Sequence, residues 1–192
     1  MRRWLAPLGV ALCALLLSSC TLVATNANPV RIPPGKVQFN LLSPTIPGTN
    51  NARVRFKGQP VYFVDTTNNL TPSSRIVPAP PALSTVVEQL ILGPTGIERS
   101  AGYSSDLPKK LVLLSAHVNG EIGTVNFATS LSSLSARKQI LAVGQLVLTA
   151  YDVGATQGII IKVAGVTQVL LTPSGAHTKL ATPRSFAALL DD

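Results

Sequence analysis

Apolar residues in this chain first run together, then scatter, then settle into regular periods. From Trp4 to Leu17, 12 of 14 residues are apolar, between Met1-Arg2-Arg3 and Ser18-Ser19-Cys20. A short basic start, a short apolar core and small residues at the end describe a secretory signal over residues 1–19. A membrane-spanning helix needs about 20 apolar residues, more than this run supplies. Residues 20–60 keep no apolar period and carry Pro29, Pro33, Pro34, Pro44, Pro47 and Pro60 with several Asn. They read as a tether, which as a coil of about 40 residues reaches roughly 35 Å root-mean-square. Val37-Gln38-Phe39 and Arg53-Val54-Arg55-Phe56 alternate briefly but are assigned to the tether.

Regular periods begin at residue 61. Val61-Tyr62-Phe63-Val64 is a β-rich run closed by Asp65 and a polar turn, and Arg75-Ile76-Val77 is a short partner strand. Leu83, Val86, Val87, Leu90 and Ile91 then recur at helical spacing after Pro81, and Gly93-Pro94 stops the helix. Leu111–Val118 and Glu121–Phe127 flank Asn119-Gly120, the composition of a tight hairpin turn. That turn sets Val112, Leu114, Ala116, Val125 and Phe127 on the core face, and His117 opposite Ile122 on the other. A second helix, Ser135 to Tyr151, is apolar nearly all round, with Gln145 expected to be satisfied by a neighbouring strand. Gly158–Val163 and Val166–Leu171 form two further strands around Ala164-Gly165, and the tail over 172–192 ends in a short helix, Ser185 to Leu190. The order β-α-β-β-α-β-β predicts an α+β fold, two helices on one face of a mixed or antiparallel sheet. The open sheet face or a free sheet edge is then the expected contact surface.

Charge and cysteine content sharpen the compartment. Charged residues are only 12% of the 192-residue chain against 46% hydrophobic, which excludes charge-driven disorder for most of it. Removal of the signal takes away Arg2 and Arg3 and leaves a net charge of +6, suited to anionic headgroups or wall polymers. The basic residues are scattered and the compartment is wrong for nucleic acid. Cys13 leaves with the signal, so Cys20 has no partner for a disulfide in the mature chain. Leu17-Ser18-Ser19-Cys20 resembles the bacterial lipobox, in which the cysteine receives a diacylglycerol thioether and becomes the new N-terminus. Cys20 is therefore the expected lipidation site, anchoring the protein on the outer face of the cell membrane.

A family likeness enters with the domain motifs. Val61-Tyr62-Phe63-Val64-Asp65 with Arg75-Ile76-Val77-Pro78, and Leu90-Ile91-Leu92-Gly93-Pro94-Thr95, resemble segments of the GerMN domain of sporulation and germination lipoproteins. Gly123-Thr124-Val125-Asn126-Phe127 and Gln145-Leu146-Val147-Leu148-Thr149 are similar to its later signatures, so that the resemblance covers residues 61–171. Asn126 stands where an Asp is common, and the loop after Asp65 lacks the usual Gly. The resemblance implies a fold like the ring-building motifs of sporulation channels. It also implies a noncatalytic, extracytoplasmic module, as in single-domain actinobacterial lipoproteins, that binds an envelope protein or wall component. With one copy the paired, ring-forming architecture is not carried over, and self-association stays open.

The competing readings are a cell-envelope hydrolase and a carrier of an apolar ligand. No Gly-x-Ser-x-Gly elbow occurs, and His117 and His177 fall on a strand and in the tail. Glu88 and Glu121 have no neighbouring acid or base in the pattern, and Asp65 is expected to pair with Arg75 on the surface. Gly93–Gly96 lacks the Lys-Ser or Lys-Thr of a phosphate loop, and no His or Cys pair has metal spacing. No catalytic residue, cofactor or metal site is assigned. A carrier needs a cavity between helices and sheet.

Overall fold

The computed structural model describes residues 54–190. The signal, Cys20 and the tether up to residue 53 lie outside the described residues. Strand β1 (Phe56–Val64) begins five residues before the expected Val61 and pairs antiparallel along its full length with β2 (Leu70–Pro78). Both are longer than their apolar runs, because Lys57 and Gln59 alternate with a polar partner strand that sequence hydropathy leaves unmarked. The turn between them is built by Asp65, whose Oδ1 accepts from the backbone N–H of Thr67 at 2.8 Å and of Asn69 at 2.9 Å. Asn68 takes the left-handed conformation there, with φ of 67°, doing what a Gly usually does. Asp65 thus serves the turn. The expected pair with Arg75 is not made, since Arg75 binds Glu98.

Helix α1 (Leu83–Leu92) buries Leu83, Val86, Val87 and Leu90, the helical stripe read from the sequence, and ends at Gly93 with φ of 78°. Thr95 then caps a short helix, α2 (Gly96–Ser100), in a reciprocal arrangement with Glu98. The Gly93–Gly96 stretch is therefore a stop and a restart.

Strands β3 (Leu113–Asn119) and β4 (Ile122–Phe127) form the expected hairpin in a different register. Asn119 pairs with Ile122, so the turn residues are Gly120 and Glu121, with Gly120 at φ of 60°. One positive φ at the first turn position suits a type II′ turn, which Gly fills without strain. A bulge between Leu113 and Ser115 then shifts the older half of β3 by one residue. Leu113, Ala116 and Val118 pack inward, while Val112 and Leu114, expected in the core, face out. His117 is exposed as expected, but its cross-strand neighbour is Thr124 and not Ile122.

Helix α3 (Ala136–Tyr151) starts at the predicted Ser135 and buries every residue from Leu141 to Ala150. Strand β5 (Gly158–Val163) runs parallel to β4, and β6 (Val166–Thr167) folds back on it. The sheet order is β3-β4-β5-β6, a mixed sheet, whereas β1-β2 forms its own ribbon. The expected single strand Val166–Leu171 is divided: β7 (Leu170–Leu171) leaves to pair with β8 (His177–Thr178). The tail is part of the domain. Helix α4 (Pro183–Phe186) and a 3-10 turn, Ala187–Leu189, replace the expected Ser185–Leu190 helix, and Phe186 joins the core.

The core lies between α1, α3, the inner sheet face and β1, with Phe63, Phe127, Phe186, Leu90, Leu146 and Ile161 fully buried. The α+β class is as read from the sequence. A gap of about 50 Å³ reaches Val143 and Ile161, space for a few waters and not for an apolar ligand.

Candidate binding surface

Both long helices pack on one side of the four-stranded sheet, and among the described residues no helix covers its other face. The register places His117, Thr124 and Ile160 in one row across that face, and Ser115, Asn126 and Lys162 in the next. Asn126 Oδ1 accepts from the Gly165 N–H at 3.0 Å, which holds the β5-β6 turn against β4. An amide serves that bond without the charge of an Asp. At the margin lies β3, whose outer edge pairs with no described strand. Val112 and Leu114 are 53% and 54% exposed beside it, an apolar pair that the bulge turns to solvent. An unpaired edge with apolar neighbours is a template for an added strand or a docking peptide.

A cleft of about 560 Å³ opens at the other side of the hairpin, between the end of α1 and the loop 103–109. Leu92, Pro94 and Tyr103 supply its apolar walls and Arg99 and Lys109 its charge. Its frame is a hub on Glu98. The Arg75 guanidinium donates to both carboxylate oxygens, at 2.8 and 2.7 Å, the Thr95 N–H donates at 2.6 Å, and Ser73 Oγ donates as well. Arg75 also sits 5.0 Å from the centre of the Phe63 ring. With so many donors, Arg75 first, the Glu98 carboxyl is held well below its ordinary value of 4.5.

The pH dependence follows from that direction. A depressed carboxyl contributes stability above its unfolded value and loses it as the pH falls toward the folded one. Glu98→Gln is expected to cost about 2 kcal/mol at neutral pH, since the pair is mostly removed from water. Urea unfolding at a series of pH values checks it. The gap between wild type and variant should narrow below pH 4.5; a constant gap would show that shape, not charge, is what Glu98 contributes.

Behind the cleft, Gln145 on α3 is fully buried and joined on both ends. Its Nε2 donates to the Tyr62 carbonyl of β1 at 2.8 Å, and its Oε1 accepts from the Asp106 N–H at 3.0 Å. The expected strand partner is there, and the loop partner is additional. Glu88 is exposed, and Glu121 Oε2 accepts from Gln157 Nε2 at 2.8 Å. His117 and His177 are on separate sheets. Among the described residues no group of three or more His, Cys, Asp or Glu is placed to hold a metal ion. No described helix is long and apolar enough to cross a membrane.

Two features of the surface escaped sequence reasoning. The outward Val112 and Leu114 depend on a bulge that no residue type announces. Asp152, whose carboxyl burial pushes up against the pull of Tyr62 and Lys57, stands at the end of α3, where the sequence offers only a lone acid.

The family described as Germane, sporulation and spore germination, matches residues 60–169. Among solved structures, the tandem GerMN domains of the sporulation protein GerM from Bacillus subtilis superpose with a TM-score of 0.51 at 16% identity, covering 71% of this chain. The chain spans about half, 49%, of that tandem structure. The first GerMN domain of the same protein gives a TM-score of 0.49 at 12% identity, over 67% of this chain and 98% of that one. No curated protein matches the sequence.

Proposed function

The chain belongs to the Germane family of sporulation and spore germination domains, and on that premise we propose a membrane-anchored extracytoplasmic lipoprotein whose noncatalytic domain binds an envelope protein or wall component. Cys20 is the lipidated residue in this reading, and residues 20–53 lead from it toward the domain. The observation that supports binding most is the β3 edge, which pairs with no described strand, with Val112 and Leu114 turned outward beside it. A lone soluble domain gains nothing from exposing that pair, whereas an added strand would cover both. The mildly basic charge favours a partner of acidic character.

A photo-crosslinking residue at Leu114, introduced into the full chain in its native envelope, tests the reading. The expected product is one reproducible adduct in the membrane fraction, absent when the same residue is placed at the exposed Glu88 on the opposite side. In the Cys20→Ala background, lipid labelling should disappear and the protein should leave the membrane fraction. Labelling that survives Cys20→Ala removes the anchor from the proposal. Equal adducts from both positions, or turnover of a wall substrate by the purified chain, removes the binding module.

A further inference from the structure

The β1-β2 ribbon has one face that changes character along its length. The register sets Phe56 opposite Pro78, Gly58 opposite Ile76 and Pro60 opposite Ser74, and directly opposed residues of an antiparallel pair share a face. Toward the turn this face is covered: Val64 and Leu70 are buried with Leu141 and Leu148 of α3, and Tyr62 packs against them. Toward the open end it is bare. Phe56 and Ile76, diagonal neighbours across the pair, are 65% and 71% exposed, and Pro78 is exposed beside them. None of the six residues at this end carries a charge, and Gly58 adds no side chain to separate the apolar ones. An aromatic ring, a branched chain and prolines presented together to solvent mark an interaction surface.

Charge and chain connection indicate what covers it. Basic residues are spread over the whole chain, but their excess over acids is not. Between Cys20 and Val64 stand Arg31, Lys36, Arg53, Arg55 and Lys57 and no acid, the first acid of the chain being Asp65. Residues 65–192 carry nine basic and eight acidic residues, so nearly all of the mature chain's +6 lies before Asp65. The bare patch is on the strand where that acid-free segment enters the domain, and Arg55 and Lys57, both exposed, alternate with Phe56. We propose that this end of the ribbon rests on an anionic lipid bilayer. Phe56, Ile76 and Pro78 enter the boundary between headgroups and acyl chains, while Arg55 and Lys57 reach out to the lipid phosphates. The proposal rests on the anchor at Cys20, which keeps the patch close to the membrane. A polyanionic wall polymer calls for cations on the face itself, where there are none. A second copy would bring two like-charged, acid-free segments together.

Trp4 is the one tryptophan of the sequence and Cys20 the one cysteine after the signal, so the mature chain accepts a single fluorophore and a single coupling point. The chain from residue 20 onward, carrying Phe56→Trp, is coupled through Cys20 to a maleimide-headgroup lipid in vesicles of phosphatidylglycerol and phosphatidylcholine with brominated acyl chains. Val166→Trp and Leu114→Trp, at exposed positions of the four-stranded sheet, are the comparisons. The Phe56→Trp chain should shift its emission to the blue and be quenched about threefold more than either comparison, and less in vesicles of phosphatidylcholine alone. Adding Ile76→Glu, a change at a position open to water, should bring the quenching down to the level of the comparisons. Equal quenching at all three positions, or quenching at position 56 that ignores Ile76→Glu, overturns the proposal. So does emission already blue-shifted before coupling, which means that a second copy or residues 20–53 cover the patch. An equal shift on adding dextran sulfate without vesicles assigns the patch to a wall polymer and likewise overturns it. Because the coupling is chemical, the result does not depend on whether cells lipidate Cys20, which the labelling of Cys20→Ala decides separately.

Discussion

Gln145→Leu is expected to lower the stability of the domain by about 3 kcal/mol, although leucine is the more apolar residue and fits the helix at least as well. The reason is the two groups it abandons. Gln145 gives the Tyr62 carbonyl of β1 a donor at 2.8 Å and the Asp106 N–H an acceptor at 3.0 Å, and it does so from a position with no exposure to water. Leucine removes both partners at once and admits no water to replace them. Each orphaned backbone group costs ~1–3 kcal/mol, and the extra apolar burial returns only part of that. For a domain of this size the loss is a large share of the ~5–15 kcal/mol that holds a folded chain. Urea unfolding with an unchanged slope is the measurement. A loss below about 1 kcal/mol would mean that water or Ser105, whose Oγ also lies near the amide, substitutes for the glutamine.

The same residue shows how function and packing meet in this fold. Gln145 fixes the loop 103–107 to α3, and that loop is one wall of the cleft beside Arg99 and Lys109. The Glu98 hub fixes the opposite wall, through Arg75 on β2 and Thr95 at the start of α2. The Gly93-Pro94-Thr95 segment therefore has three local tasks: it ends one helix, caps the next and closes a cleft. Its backbone is determined by hydrogen bonds, which leaves Leu92 and Ile97 free to be exposed, at 75% and 85%.

What the sequence made legible was whatever repeats. The stripes of α1 and α3 give their boundaries within a residue or so, because burial of one face sets the period. Gln145 was legible too, since a lone amide inside an apolar helix must find partners. The failures are events that happen once. The bulge at Leu113/Ser115 inserts one residue and exchanges the faces of Val112 and Leu114 with that of Leu113, and no propensity encodes it. The turn moved from Asn119-Gly120 to Gly120-Glu121 because the left-handed position needs only one Gly, and the pairing of Ala116 with Val125 decides between the registers. Arg75 lies nearer in sequence to Asp65, but the turn claims that carboxylate and the hub offers another.

The docking of the C-terminal segment was the least visible step, and Gly158→Ala tests it. Gly158 opens β5 with φ of +133°, a conformation nearly closed to residues with a side chain. A Cβ at this position would stand 2.3 Å from the Ala181 carbonyl oxygen, a backbone atom that cannot rotate away. That oxygen accepts the Ile159 N–H at 2.9 Å, and the Ala181 N–H donates to the Ile159 carbonyl at 2.9 Å, so the two chains are held at this separation from both sides. Relief requires the segment around Ala181 to move off β5. Ala181 and Phe186 are both fully buried, and Phe186 sits against the Gly144 surface of α3. Exposing that ring forfeits a core phenylalanine, worth ~3–5 kcal/mol when lost, and backbone strain is the alternative if the segment stays. The expected outcome is a loss of about 3–4 kcal/mol together with new protease cleavage after residue 172, while the β3-β4 hairpin keeps its amide protection. An alanine variant with wild-type stability and an uncut C-terminus would show that β5 and residues 181–186 adjust together, and that the tail is held by its own contacts and not by the glycine.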